Sequence, residues 1–475
     1  MTTRAEAPAD DDGADHTTVW FGLLIFLAML GIYIVSNPDR VNFYNHFVWQ
    51  ASAWLEGQAG IRFPVTGTPT SPGNDYFQDV MPILDPSGTT PGRALIPFPP
   101  LPAVILLPFV ALFGLTTNAQ LIATFIGAID VAIAFWMLGR LRLDRSVRNA
   151  ATIFLGLGTV LWYAAELGST WFLAHVVAVG LTLAAIGLAL EADPRAALGD
   201  DELVLPGPSP EPTPIGRMGR FGRFGGPGSI GLDRRQFIAG ILFGLACTSR
   251  LTVILGAPFF VLVGGGGSWL RRAVSAGLGT AIPVGIFLAY NQITTGHLMH
   301  PGYAYLYGLE TASYPQLNYH PGWSIEDPRY LVQNLPLMLA GLPDILRPCS
   351  DPSAVRGLFS VDCPLIVPRD VGMGLFLTSP AWLVAFGSLR WWGVDRLVSG
   401  AAIAVTAIAV VNLMHFSQGW VQFGYRFSND FAPFALVLFA IALQALRRRW
   451  IGYSLIGLSI VINLWGVTWG HLLGW

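Results

Sequence analysis

Three arginines stand where an arginine is costly. Arg250 lies alone between the apolar stretches 236–249 and 251–266. Arg426 precedes another apolar stretch, and Arg93 stands just ahead of the proline run Ile96–Pro102. A guanidinium stays charged and grips phosphate through two parallel hydrogen bonds. At one membrane depth the three would make a cationic ring fitted to a phosphate. The ordinary alternative is one ion pair each, for example Arg426 with Asp430 at i,i+4. Three carboxylates, Asp39, Asp75 and Asp79, lie in one polar segment. Each is also an ordinary turn or cap residue. Glu166, Trp171 and His175 form a second polar group, and His415, Gln418, Tyr425 and Asp430 a third. Asn291 and His297 open a tyrosine- and histidine-rich segment that runs through His300 and Tyr303. Asp130 is isolated within an apolar run, where a carboxylate is protonated, paired across helices or part of a proton path.

Other chemistries are excluded or unsupported. All 27 basic residues are arginine, so no lysine can form a Schiff base. The net charge of −2 argues against a nucleic-acid partner. His46, His175, His297, His300, His320 and His415 lack zinc-ligand spacing, and no metal site is expected. Gly264–Gly267 is not followed by the Lys-Ser/Thr of a phosphate loop. No cofactor is implied, and a divalent-metal requirement stays open.

The elements that must position these groups are membrane helices. The chain is 53% hydrophobic and 12% charged, about half the charged share of soluble domains. Mean hydropathy is +0.54. Apolar stretches fall at 18–36, 101–115, 119–139, 148–165, 170–191, 236–249, 251–266, 273–290, 374–389, 397–415, 429–446 and 450–472. Lipid satisfies no backbone group, so each must be helical. Arginines cluster at Arg140–Arg148, Arg234/Arg235, Arg271/Arg272, Arg390/Arg396 and Arg447–Arg449. With those clusters inside, the N-terminus is cytoplasmic, and the loops 37–100 and 291–373 and the C-terminus are outside. Seven stretches separate the two loops, and an odd number cannot return the chain to the same side. The 101–115 stretch is therefore expected to be re-entrant or steeply tilted, leaving about eleven crossings. A competing solution joins 236–266 as one broken span.

This predicts an all-α polytopic bundle in a plasma membrane, of prokaryotic type. A disordered cytoplasmic tail (1–17) precedes an N-terminal membrane module (18–191). A disordered linker (192–235) leads to the helices of 236–290, and the C-terminal helices occupy 374–475. Apolar spacing over Asn42–Gly57 predicts an amphipathic helix on the outer surface. A second apolar segment, Tyr330–Leu342, is expected at the same interface. Cys349 and Cys363 share the second loop, and a bridge there closes about fifteen residues, worth about 3 kcal/mol. Disulfides persist outside the cytoplasm, consistent with that placement. Arginines gathered at the outer boundary suggest a lipid-linked phosphate.

Several local patterns, taken in order, carry a resemblance. They are Ala51–Gly57, Phe98-Pro99-Pro100-Leu101-Pro102, Gly244-Leu245-Ala246 to Arg250, Tyr290-Asn291 to Gly296, and Gly424-Tyr425-Arg426-Phe427 to Asp430 and Pro433. The chain resembles the GT-C class of membrane glycosyltransferases, which includes protein O-mannosyltransferases and lipid A aminoarabinose transferases. The resemblance implies a sugar donor carried on a polyprenyl phosphate and used on the outer face with inversion. It implies a first-loop carboxylate as base (Asp79, Asp39 or Asp75) and Arg93, Arg250 and Arg426 on the lipid phosphate. Glu166, His175, Asn291, His297, Tyr425 and Asp430 would then contact sugar or acceptor. The class carries an acidic pair ahead of the surface helix. At the matching spacing back from Gly57 stand Phe43 and Tyr44, which leaves the base to another residue. A transporter or lipid-linked-sugar flippase, and a non-catalytic assembly subunit, are the alternatives. The sequence names neither sugar nor acceptor.

Overall fold

The structure, a computed structural model, describes residues 12–37, 44–68, 72–83, 92–193, 231–313, 320 and 322–474. In chain order the first helices are α1 (Asp12–Ser36), α2 (His46–Leu55), α3 (Leu101–Phe113), α4 (Ala119–Leu138), α5 (Arg145–Leu157), α6 (Leu161–Leu167) and α7 (Thr170–Ala192). Then come α8 (Arg234–Cys247), α9 (Ala257–Leu262), α10 (Trp269–Thr295), α11 (Gly302–Ser313) and α12 (Leu331–Ala340). The last are α13 (Leu375–Thr378), α14 (Arg396–Met414), α15 (Ala432–Ala445) and α16 (Arg449–Leu472). Strands β1 (Ile61–Arg62), β2 (Met81–Pro82) and β3 (Arg93–Leu95) form an antiparallel sheet in the order β1-β3-β2. A two-stranded ribbon joins β4 (Asp344–Ile345) to β5 (Ile366–Val367).

Six helices among the described residues have the length and composition to cross a bilayer: α1, α4, α7, α10, α14 and α16. The pair α5 and α6, bent by 44° at their junction, makes a seventh if counted as one span. The sequence predicts about eleven crossings; the other predicted stretches form shorter helices, α8 and α15 unbroken at 14 residues and several others interrupted. The stretch 148–165 is divided by Gly158 and the residues around it. The 251–266 stretch starts as a 3₁₀ helix (Leu251–Gly256) before Pro258 opens α9. The 374–389 stretch is interrupted at Ser379, after which Pro380–Trp391 continues as a 3₁₀ helix. The 101–115 stretch forms α3, short and with Pro108 inside it.

Close contact between helices comes from small residues, as expected where lipid gives no hydrophobic drive for association. On the seam of α8 and α10, a Cβ at Gly240 would lie 2.2 Å from the Ala276 carbonyl oxygen. One at Gly279 would lie 2.1 Å from that of Phe237. The main core runs continuously from α1 through α4–α8 to α14–α16.

The two predicted interfacial helices turn out unlike each other. The first is α2, and His46–Ala51 and Ala53 are buried. It is packed between α3 and the small sheet, with Phe47, Val48 and Ala51 against α3 and Trp49 and Ala53 against Ile61, Phe77 and Ala94. It is not a helix lying open on a surface, because aromatic residues of the following loop cover its other side. The second, α12, does keep an apolar exposed face, with Val332, Leu335 and Leu339. Cys349 and Cys363 form a disulfide. Most of the predicted tail and linker lies outside the described residues, as does Asp39.

Candidate active site

Asp430 ends the 3₁₀ turn Arg426–Asp430 that leads into α15. Its carboxylate is buried and accepts five hydrogen bonds. Oδ1 accepts from His175 Nδ1 at 2.8 Å and Arg250 Nε at 3.0 Å. Oδ2 accepts from Arg250 Nη2 at 2.9 Å, Thr252 Oγ1 at 2.8 Å and Asn412 Nδ2 at 3.1 Å. A carboxylate only accepts, so His175 carries its proton on Nδ1. The donors come from α7, from the break between α8 and α9, and from the end of α14. The Arg250–Asp430 contact is bidentate, so this arginine's charge is neutralised inside the protein.

Arg426 is arranged differently. It is buried, and among the described residues no carboxylate lies within ion-pair distance of it. Its Nε has no hydrogen-bond partner. The guanidinium instead lies among aromatic faces, 5.2 Å from the Phe172 ring, 5.5 Å from Phe427 and 6.0 Å from Trp171. Gly419 backs it, where a Cβ would come within 2.9 Å of the guanidinium. Burial and the neighbouring Arg250 lower its pKa to about 10, with Asp79 opposing, so it remains cationic at neutral pH.

Asp79 shares the indole of Trp171 with Arg426. Trp171 Nε1 donates to Asp79 Oδ2 at 2.9 Å, while Arg426 stands over the same ring. Asp79 takes a left-handed backbone (φ 58°), a conformation aspartate adopts more readily than most residues. His46 fixes the preceding residue. Its Nε2 is 2.7 Å from the Gln78 carbonyl, its Nδ1 is 3.1 Å from Thr170 Oγ1, and its ring stacks on Phe77 at 3.9 Å. The start of α2, the start of α7 and the loop before β2 are thus tied at one point. Burial in this aromatic cage lowers the His46 pKa, which keeps the ring neutral.

A residue that sequence reasoning missed completes the group. Glu310 on α11 hydrogen-bonds to Asp79, and burial together with the Asp79 charge raises its pKa to about 8. Tyr303, seven residues earlier on the same helix, is pushed up to about 12 by burial, opposed by Arg250 and reinforced by Asp79 and Glu326. A lone acid in the run Gly302–Ser313, otherwise tyrosine, leucine and small residues, was the available signal.

The structure therefore brings Asp79, His175, Arg250, Arg426 and Asp430 together, with the Tyr425 ring 5.9 Å from that of Phe427, and places other predicted residues elsewhere. Arg93 lies on β3 opposite Arg62 and donates to the Gly60 carbonyl at 2.9 Å, so the cationic ring reduces to two members. Glu166 accepts from Ser36 and from Trp162 Nε1, which makes it a tie between α6 and α1. Asn291 donates to the Leu298 carbonyl at 2.9 Å and closes the turn after α10; His297 is exposed in that turn. Asp75 is exposed. Asp130 is enclosed between α4 and α7 against Gly180, about 7 Å deeper along α7 than His175 by helical rise. No cluster of three or more metal-ligating side chains occurs among the described residues.

No family model matches the chain, and neither does any curated protein. One solved structure is similar: ArnT from Cupriavidus metallidurans bound to undecaprenyl phosphate, at 14% identity and a TM-score of 0.42. The match covers 95% of this chain and 64% of ArnT, so the chain spans less than two thirds of that protein's length. The functional reading accordingly rests on this chain's own residues.

Proposed function

We propose that this multi-pass membrane protein is an inverting glycosyltransferase that takes its sugar from a polyprenyl phosphate on the extracytoplasmic face. One observation carries the reading: a buried arginine with no counter-ion among the described residues, Arg426, and a carboxylate, Asp79, share one tryptophan. An unpaired buried charge is costly and persists where a ligand completes it. The anionic head of a lipid phosphate is such a ligand, and the aromatic walls around Arg426 suit the first carbons of its chain. The order of the local motifs quoted above supports the same class.

In the proposed reaction the acceptor hydroxyl oxygen attacks the anomeric carbon from the face opposite the phosphate. The bond from that carbon to the phosphate oxygen breaks, and the bonding pair leaves with the lipid phosphate, held by Arg426. The hydroxyl proton passes to Asp79. Asp430 and His175 hold Arg250 at the edge of the site, where its charge acts at reduced strength. General-base help is worth about 10²–10⁴ in rate, and fixing donor and acceptor together supplies much of the remainder.

The test is transfer of label from a panel of polyprenyl-phosphate sugars to membrane acceptors. Wild type is expected to transfer from at least one donor, and Asp79→Asn to lose about 10²–10⁴-fold in rate while still folding. No transfer by wild type across the panel would count against the proposal. The alternative of transport centred on Asp130 gains no support from the packing, which closes around that residue.

A further inference from the structure

The loop that carries α11 contributes to the same chemistry. One face of α11 carries Tyr303, Leu306, Tyr307 and Glu310, at the i, i+3, i+4 and i+7 spacing of a single helical side. Leu306 is buried on that face. Tyr307 anchors the helix through its hydroxyl, which donates to the Trp323 carbonyl at 2.7 Å, and through its ring, 5.1 Å from Phe416. The helix packs on β2, which begins two residues after Asp79. This placement brings the Glu310 carboxyl to the Asp79 carboxylate.

We propose that Glu310 is a positioning residue: its protonated carboxyl donates a hydrogen bond to Asp79 and, with the Trp171 N–H, aims that carboxylate at the acceptor hydroxyl. Two carboxyl groups in contact cannot both ionise, so the pair keeps one proton. Glu310 keeps it, and Asp79 stays free to accept. An ionised carboxylate has about four lone-pair directions. Trp171 and Glu310 take two, which leaves capacity for the acceptor proton. Among the described residues, the charged and titratable groups facing the pair are Arg426 from the turn before α15, Tyr303 from α11 itself and His46 from α2. Arg426 supplies the positive charge beside the pair, and neutral His46 and Tyr303 add no charge near neutral pH.

This inference rests on the transferase reading, but its test has one arm that does not. Infrared difference spectra between wild type and Glu310→Gln, in detergent, should show a protonated carboxyl band that disappears with a midpoint near pH 8. An ionised Glu310 at neutral pH overturns the proposal whether or not the protein transfers sugar. In the transfer assay, kcat should fall on the alkaline side around the same pH, with KM for the donor little changed. Glu310→Ala should lower kcat by about tenfold or more, the effect of one hydrogen bond to a charged group. Glu310→Gln keeps a donor that cannot ionise. It should recover most of that loss and remove the alkaline fall. If Glu310→Gln is as impaired as Glu310→Ala, or keeps the wild-type pH profile, the positioning role is wrong.

Discussion

Arg250, partly exposed, and Arg426, buried, both lie against Phe427, and they differ in what answers their charge. Arg250 meets Asp430 in two parallel hydrogen bonds, and that carboxylate is braced by His175, Thr252 and Asn412. Arg426 meets aromatic rings and has an Nε with no partner. The first arrangement is complete within the chain, so it holds α7, α8, α14 and α15 together. The second has no carboxylate partner among the described residues, and in the proposed function an anion from outside completes it. Two identical side chains against one phenylalanine ring thus divide, in the proposed function, between framework and ligand site, and the division follows from where one carboxylate sits.

The comparison breaks most easily at Asp430. Asp430→Ala leaves the partly exposed Arg250 without a counter-charge and the donors around it without an acceptor, and a loss of about 3 kcal/mol is expected, read as a fall in thermal midpoint in detergent. Replacing Arg250 and Asp430 together by apolar residues of similar volume should recover much of that loss, since both the charge and its partner are gone. If the double variant is as unstable as the single, the contact is not an isolated charge pair. Arg426→Met tests the other half. It removes an unneutralised charge, so stability should stay level or rise slightly; a fall comparable to that of Asp430→Ala would mean Arg426 has a structural partner.

Much of this was legible in the sequence, and the part that was not has definite causes. Polar residues in apolar surroundings are conspicuous, so Arg250, Arg426, His175 and Asp430 could be singled out without a structure. The pairing could not: i,i+4 spacing joined Asp430 to Arg426, whereas the 3₁₀ turn Arg426–Asp430 sends the two side chains apart and Arg250 arrives from the break before α9. Arg93 misled because a proline run close by resembles a membrane boundary, while a three-residue strand fixes it on the small sheet. Glu310 was invisible because only the return of the second loop over the first brings it to Asp79. The lengths of the helices were not legible either, because proline and glycine divide apolar runs into pieces of helix without altering their hydropathy.

The central claim is that Arg426, and not Arg250, is the cation that receives a lipid phosphate. Equilibrium binding of a short-chain polyprenyl phosphate to the detergent-purified full chain tests it directly. Wild type and Asp79→Asn should bind comparably, and Arg426→Met should lose about 1.5–3 kcal/mol, a weakening of about tenfold or more. Binding by Arg426→Met as tight as wild type would contradict the account.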